Sequence, residues 1–311
     1  MKTHFETVIA GQDAEYAGQA AAAVFREIDR IETLFNRFDP SSEISRINRL
    51  RPGDALIIGV ETYECLTAAE RVRVDTGGAF DINIRALQFS GPLQEPARAS
   101  KNLAPLPPSK RAEARGFELI NLSSSFEIRR PPEKDGGRNS LGFDLGGIGK
   151  GYALDLALAV LSDWGIGNAL IHSGTSTAIA IGSPNDSDAD NKRRSDGTEG
   201  GGWPVGVGGA KPFPGYPGRV RLKDRALSGS GTEVKGQHIL DPRTGLPACG
   251  HPAAWASHPS ATESDALSTA FMVMTGEAVE EYVRLHPDVW ALVVAADGTC
   301  RVINPDLLPA Q

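Results

Sequence analysis

The sequence predicts an α+β fold with mixed sheets and packed helices, and three observations carry that expectation. From Ala14 to Phe35, the residues Val24, Ile28, Ile31, Leu34 and Phe35 recur at helical spacing, which describes a helix with one buried face. Phe117 to Asn121 and Phe126 to Ile128 are short apolar runs close enough to form a hairpin. Strand-like and helical segments then interleave in both hairpin and crossover contexts, without the strict alternation of a parallel α/β protein.

In chain order, Gly11-Gln12-Asp13 opens the first helix and Asp39-Pro40-Ser41-Ser42 breaks it, with Ser41 or Ser42 able to cap a short helix through Asn48. A second helix is predicted from about Thr62 to Val74, with Cys65, Leu66, Ala69 and Val72 on one side, ending toward Gly77-Gly78. Residues 91–116, rich in Pro, Ala, Lys and Arg, read as a surface connection with a short helix near Ser109 to Arg115. Leu141 to Leu145 is a strand candidate, followed by a glycine-rich turn and a helix through Tyr152, Leu156, Val160 and Leu161 that Gly165 stops.

Further strands are expected at Ala169 to His172, Ala178 to Gly182, Val205 to Val207, Val220 to Leu222 and Ala226 to Ser228. Helices follow at about Glu263 to Met274 and Glu277 to His286, and a hairpin closes the chain with Val289 to Ala295, an Asp297-Gly298 turn and Cys300 to Ile303. Residues 183–202 hold almost no apolar side chains and read as a mobile loop. The whole reads as a single domain over 1–311, divisible into lobes of about 1–165 and 166–311.

A chain of 311 residues with 40% hydrophobic and 23% charged residues can bury a full core, so it belongs with globular proteins rather than disordered or fibrous ones. Its net charge of −7 offers no basic field for nucleic acid, and an anionic ligand has to be held by local groups. No apolar stretch approaches the ~18 residues of a membrane helix. Met1-Lys2-Thr3-His4-Phe5-Glu6 lacks a secretory pattern, so the chain as written is expected in the cytoplasm, or in the periplasm or at the cell surface if a leader was removed. Cys65, Cys249 and Cys300 are odd in number and scattered, which reads as reduced packing cysteines.

Three segments concentrate chemistry. Asp144-Leu145-Gly146-Gly147-Ile148-Gly149-Lys150-Gly151-Tyr152 precedes a helix, where free N–H groups and the helix dipole favour a phosphate, although a tight turn with a solvated lysine accounts for it equally well. It matches neither a Walker A loop nor GxGxxG. Asp265 and Thr269, four apart on one helical face, can bring two oxygens to one hard cation such as Mg2+; the competing reading makes Asp265 part of a capping box in Thr262-Glu263-Ser264-Asp265. Gln237-His238-Ile239-Leu240-Asp241-Pro242-Arg243-Thr244-Gly245 is either an ordinary turn or a site in which His238 is a general acid/base or phosphate partner. Ser228-Gly229-Ser230-Gly231-Thr232 reads most simply as a flexible loop whose hydroxyls could hold a phosphate.

Taken in order, Phe38-Asp39-Pro40-Ser41-Ser42-Glu43 with Ile47-Asn48, Gly78-Ala79-Phe80-Asp81, Asp144 through Ala153, His238 through Gly245, and Asp265-Ala266 with Thr269 resemble the FAD:protein FMN transferase (ApbE) family over nearly the whole chain. The resemblance implies an ApbE-like, T-fold-related architecture and a flavin transferase that uses FAD as substrate and Mg2+ as cofactor. It further implies that Asp265, Thr269 and the Gly147 backbone oxygen hold the metal, and that Phe38, Ala79, Phe80, Asp81, Asp144, Lys150, Ser228 and His238 contact FAD, with His238 catalytic. The partner it implies is an acceptor flavoprotein with a Ser or Thr that receives FMN, AMP being released; hydrolysis of FAD and simple flavin carriage are the alternatives.

Overall fold

The computed structural model describes residues 3–85, 116–132, 141–184, 201–208, 218–233, 236 and 239–308. His238, all but the last residue of the surface connection expected at 91–116 and most of the 183–202 loop lie outside the described residues.

Strand β1 (Phe5–Ile9) is followed by helix α1 (Ala14–Phe35), which begins where Asp13 accepts a hydrogen bond from the Tyr16 N–H. Its buried side is Ala20, Val24, Ile28, Ile31 and Phe35, the face the spacing predicts. Ser42 caps the short α2 (Glu43–Ile47) by accepting from Ser45 N–H. Then come β2 (Ala55–Ile58), α3 (Val60–Asp75), β3 (Glu118–Asn121) and β4 (Phe126–Arg129), the last two forming the expected hairpin with β2 added at its edge in the order β2-β4-β3.

Helix α4 (Gly149–Asp163) ends at Gly165, whose φ of 69° is the left-handed value glycine adopts freely. The second half of the chain runs β5 (Ala169–Ser173), β6 (Thr177–Ile181), β7 (Trp203–Gly206), β8 (Arg219–Leu222), β9 (Arg225–Gly231), β10 (Ala253–His258), α5 (Ala261–Val273), α6 (Gly276–Leu285), β11 (Trp290–Val294) and β12 (Cys300–Ile303), with one 3-10 turn at Pro305–Leu307. Six of these strands join β1 in a seven-stranded main sheet in the order β1-β5-β6-β9-β10-β11-β12, and β7-β8 is a separate hairpin.

The α+β class holds, but every strand pairing among the described residues is antiparallel, so the sheets are not mixed in direction. The physical reason is that most paired strands follow one another with no helix between them, which returns the chain antiparallel, and no βαβ crossover is made among the described residues. Strand β9 extends through Ser228, Gly229 and Ser230, which therefore are not a flexible loop. Leu141 to Leu145 joins no sheet; its backbone bonds instead to the 82–85 segment, with Arg85 N–H to Gly142 O and Asp144 N–H to Ile82 O.

Alternation along β9 sorts the sheet's two faces. Leu227 belongs to a core with Trp255, Trp290 and the β7-β8 hairpin, whereas Ala226 packs with Leu154, Ala157 and Leu161 of α4. Helix α5 lies across β9 and β10 on this second face, touching α4 and α3 as well. Eleven of its thirteen residues are buried, so it is a central helix, and any charge it carries inward needs partners.

Candidate functional site

The glycine-rich loop is positioned from both sides before it reaches α4. Asn48, at the end of α2, clasps the approach: its amide donates to Phe143 O at 3.0 Å and its oxygen accepts from Phe143 N–H at 2.6 Å. The Gly142 N–H donates to Asn83 Oδ1 at 2.7 Å, tying the loop to the turn after α3. Asp144 then bonds back to the Gly146 N–H at 3.0 Å and pairs with Arg37 at 3.0 Å, so its carboxylate shapes the loop and anchors the Arg37-Phe38 corner. The Arg37 guanidinium in turn lies 3.9 Å from the centroid of the Phe38 ring, and Phe38 itself is 69% exposed.

Gly77 and Gly78 both have positive φ and turn the chain off α3 into Ala79-Phe80-Asp81, where Ala79 and Phe80 are buried. Phe80 stands beside Gly147, since a β-carbon there would lie 3.4 Å from its ring. Asp81 accepts from the Asn83 N–H at 2.7 Å; burial pushes its carboxyl above the usual range, against the pull of that N–H and of Arg73. The Asp241-Arg243 turn reaches the same region, with Arg243 paired to Asp241 at 2.9 Å and its side chain 3.6 Å from where a Gly78 β-carbon would be.

The centre of the site is Asp265, buried on α5. Its carboxylate accepts from the Lys150 ammonium at 3.1 and 3.2 Å, from the Gly151 N–H at 3.2 Å and from the Thr177 hydroxyl at 3.2 Å. A buried carboxylate without such partners would cost several kcal/mol, so the first turn of α4 is what permits a charge in this helix. Capping does not explain Asp265, because the N-cap of α5 is Ser260 and Asp265 lies in the second turn. Lys150 also donates to Gly146 O at 2.9 Å, which folds its side chain back over the loop. Cys65 lies behind, fully buried, its thiol pushed up by desolvation and by the Asp265 charge.

Thr269, one turn further along α5, meets the loop at Gly147: a β-carbon on Gly147 would stand 3.0 Å from Thr269 Oγ1, a tight contact that glycine relieves. Ser230 Oγ on β9 lies 3.4 Å from Thr269 Oγ1 and 2.9 Å from Ser268 Oγ. Asp265, Thr269, Ser230 and the loop backbone thus give an all-oxygen donor set beside a cationic side chain, the chemistry a hard divalent cation takes. Ser228 is fully buried two residues earlier on the same face, its hydroxyl without a hydrogen-bond partner among the described residues, while Ser230 is the β9 hydroxyl that reaches the cluster.

The structure therefore brings together Gly147, Lys150, Asp265 and Thr269, with Phe80 against them and Asp144 and Phe38 joined to the same loop through Arg37. Arg37 and Thr177 were missed by reading the sequence, because each acts through a contact between distant elements, and Ser230 was read only as part of a loop whose hydroxyls could hold a phosphate. A cavity of about 320 Å³ between α3 and the start of α5 is lined by a different set, including Tyr63, Arg71, Tyr152 and Ser260. No helix among the described residues is long and apolar enough to cross a membrane.

The chain is similar to known proteins along most of its length. The FAD:protein FMN transferase of Escherichia coli K12 is 24% identical over 300 residues, covering 91% of this chain and 79% of that protein, and that of Chlamydia trachomatis is 25% identical over 273 residues, covering 83% and 77%. Among solved structures, the ApbE protein of Thermotoga maritima superposes with a TM-score of 0.71 at 26% identity, covering 98% of this chain and 94% of that one. The flavin transferase ApbE of Vibrio cholerae gives 0.70 at 20% identity, covering 97% and 94%. The ApbE family model matches residues 1–293, so the chain belongs to the ApbE family.

Proposed function

We propose that this chain is a magnesium-dependent FAD:protein FMN transferase, which splits FAD at its pyrophosphate, joins FMN to a Ser or Thr hydroxyl of an acceptor protein and releases AMP. The observation that carries the reading is the meeting of the glycine-rich loop with Asp265 and Thr269, which sets a lysine, a carboxylate, a hydroxyl and loop backbone within one small volume. The name borne by the relatives in Escherichia coli and Chlamydia trachomatis supports it.

Asp265, Thr269 and the Gly147 carbonyl oxygen are the residues to hold Mg2+, which when bound neutralises charge on the pyrophosphate. Lys150 stands at the first turn of α4, where its ammonium and the helix's free N–H groups suit phosphate oxygens. Ala79, Phe80 and Asp81 form one wall, and the exposed Phe38 ring is available to stack on the flavin or adenine. Asp144 contributes through the loop it holds and through Arg37. Ser228 backs the site from β9.

In the transfer, the acceptor oxygen bonds to the FMN phosphorus as the bond to the AMP oxygen breaks, and the acceptor hydroxyl gives up its proton. His238 is the residue we assign to take that proton. The test is incubation with FAD and a Ser/Thr acceptor domain, with and without Mg2+, following AMP and FMN by chromatography. AMP formed only with magnesium, with FMN on the acceptor, is the expected result. Free FMN instead would make the protein an FAD hydrolase, and intact FAD in every condition would make it a carrier.

A further inference from the structure

We propose that Asp155 is a positioning residue for the metal ligands, acting by closing the start of α5 onto α4. The inference rests on the assignment of Asp265 and Thr269 as magnesium ligands.

Asp155 lies one turn beyond Gly151 on α4, so the two share a face. Its carboxylate accepts four hydrogen bonds from the first residues of α5. Ala261 N–H donates to Oδ1 at 2.7 Å, while Ser260 Oγ at 2.7 Å, Thr262 N–H at 2.9 Å and Thr262 Oγ1 at 2.5 Å all donate to Oδ2. A carboxylate supplied by one helix is thus the cap of another, satisfying its free N–H groups and complementing its dipole. Bonds to an ionised acceptor are the strong ones, and four on one side chain leave it a single orientation.

Gly151 makes that closure possible and transmits it. A β-carbon on Gly151 would stand 2.1 Å from Ala261 O, so the two helices touch backbone to backbone. The same residue's N–H donates to Asp265 Oδ2, and Asp265 is one turn along from Ala261. The offset between α4 and α5 is therefore set at the Asp155 clasp, and that offset decides where Asp265 and Thr269 face Gly147 and Lys150. Among the described residues, none assigned to the proposed reaction hydrogen-bonds to Asp155.

Asp155→Asn keeps the size but leaves one acceptor oxygen and turns an NH2 group toward N–H donors. Its effect is expected chiefly on metal affinity: a roughly tenfold or greater rise in the Mg2+ dissociation constant, as for outer-shell partners generally. The measurement is calorimetric titration of MgCl2 into the FAD-loaded protein, alongside the Mg2+ dependence of AMP release, in which kcat at saturating Mg2+ stays near wild type. Thr275→Ala, which removes the N-cap of α6, is the control for simple loss of stability. It should lower the melting temperature while leaving Mg2+ affinity unchanged.

Asp155→Asn binding Mg2+ like wild type, with only a lower melting temperature, overturns the proposal. Where Asp155→Asn does not fold, Thr262→Val removes one donor of the clasp, and unchanged Mg2+ affinity in that variant overturns it equally. Absence of Mg2+ binding by the wild-type protein overturns the metal assignment itself, a result distinct from a variant that matches a binding wild type.

Discussion

Asp265 carries its charge into a helix buried on almost every side, and Lys150, Gly151 and Thr177 make that tolerable. Its role in stability and its proposed role in chemistry therefore overlap, and the substitution that separates them is Asp265→Asn. An amide oxygen in place of Oδ2 still accepts from the Gly151 N–H, and the NH2 group in place of Oδ1 can donate to the Thr177 hydroxyl, so the fold is retained at a cost of about 1–3 kcal/mol, whereas the carboxylate charge is gone. Magnesium-dependent AMP release is expected to fall by at least ~100-fold, measured at saturating FAD. Asp265→Ala is the less informative variant, because it also strands the Lys150 ammonium, and breaking a buried pair from one side costs about 3–5 kcal/mol. A collapse of Asp265→Asn on thermal unfolding, with activity lost only in proportion, would count against the assignment.

At the scale of elements, the site depends on two helices at closer range than side chains allow. Gly151→Ala places a methyl group 2.1 Å from the Ala261 carbonyl oxygen, and backbone cannot swing aside as a side chain can. The helices must separate, at about 3 kcal/mol or more, since overpacking of a filled contact costs at least 1–3 kcal/mol. Denaturant unfolding measures it. Gly18→Ala in α1, where a β-carbon meets nothing, is the comparison and is expected to stabilise by up to ~1 kcal/mol through helix propensity. Equal stability of the Gly151 and Gly18 variants would show that the α4-α5 contact is not rigid.

For the whole molecule, the seven-stranded sheet spans the chain from β1 near its start to β12 near its end, with β9, β10 and α5 at its centre. Local opening costs most where both faces are covered, so amide exchange is expected to be slowest in β9, β10 and α5. The β2-β4-β3 sheet, with half-exposed or exposed residues on β3, is expected to exchange sooner. Hydrogen-exchange mass spectrometry decides this, and β3 protected as strongly as β10 would contradict it.

Much of this was legible in the sequence because it is local. The α1 stripe, the Asp13 and Ser42 caps and the glycine stop at Gly165 depend on residues within a few positions of each other, and the structure has them there. The glycine-rich loop, Asp265 and Thr269 were also visible as segments. Strands β1, β2 and β10 were not expected: Ala253–His258 is built of alanine, serine, tryptophan and histidine and becomes a strand because β9 and β11 flank it. Likewise, the capping reading of Asp265 stayed open until the fold placed Ser260 at the cap and Lys150 against the carboxylate. Spacing along the chain determines periodicity and turns, whereas a partner more than a hundred residues away, as Lys150 is to Asp265, is chosen only when tertiary packing brings the two helices into contact.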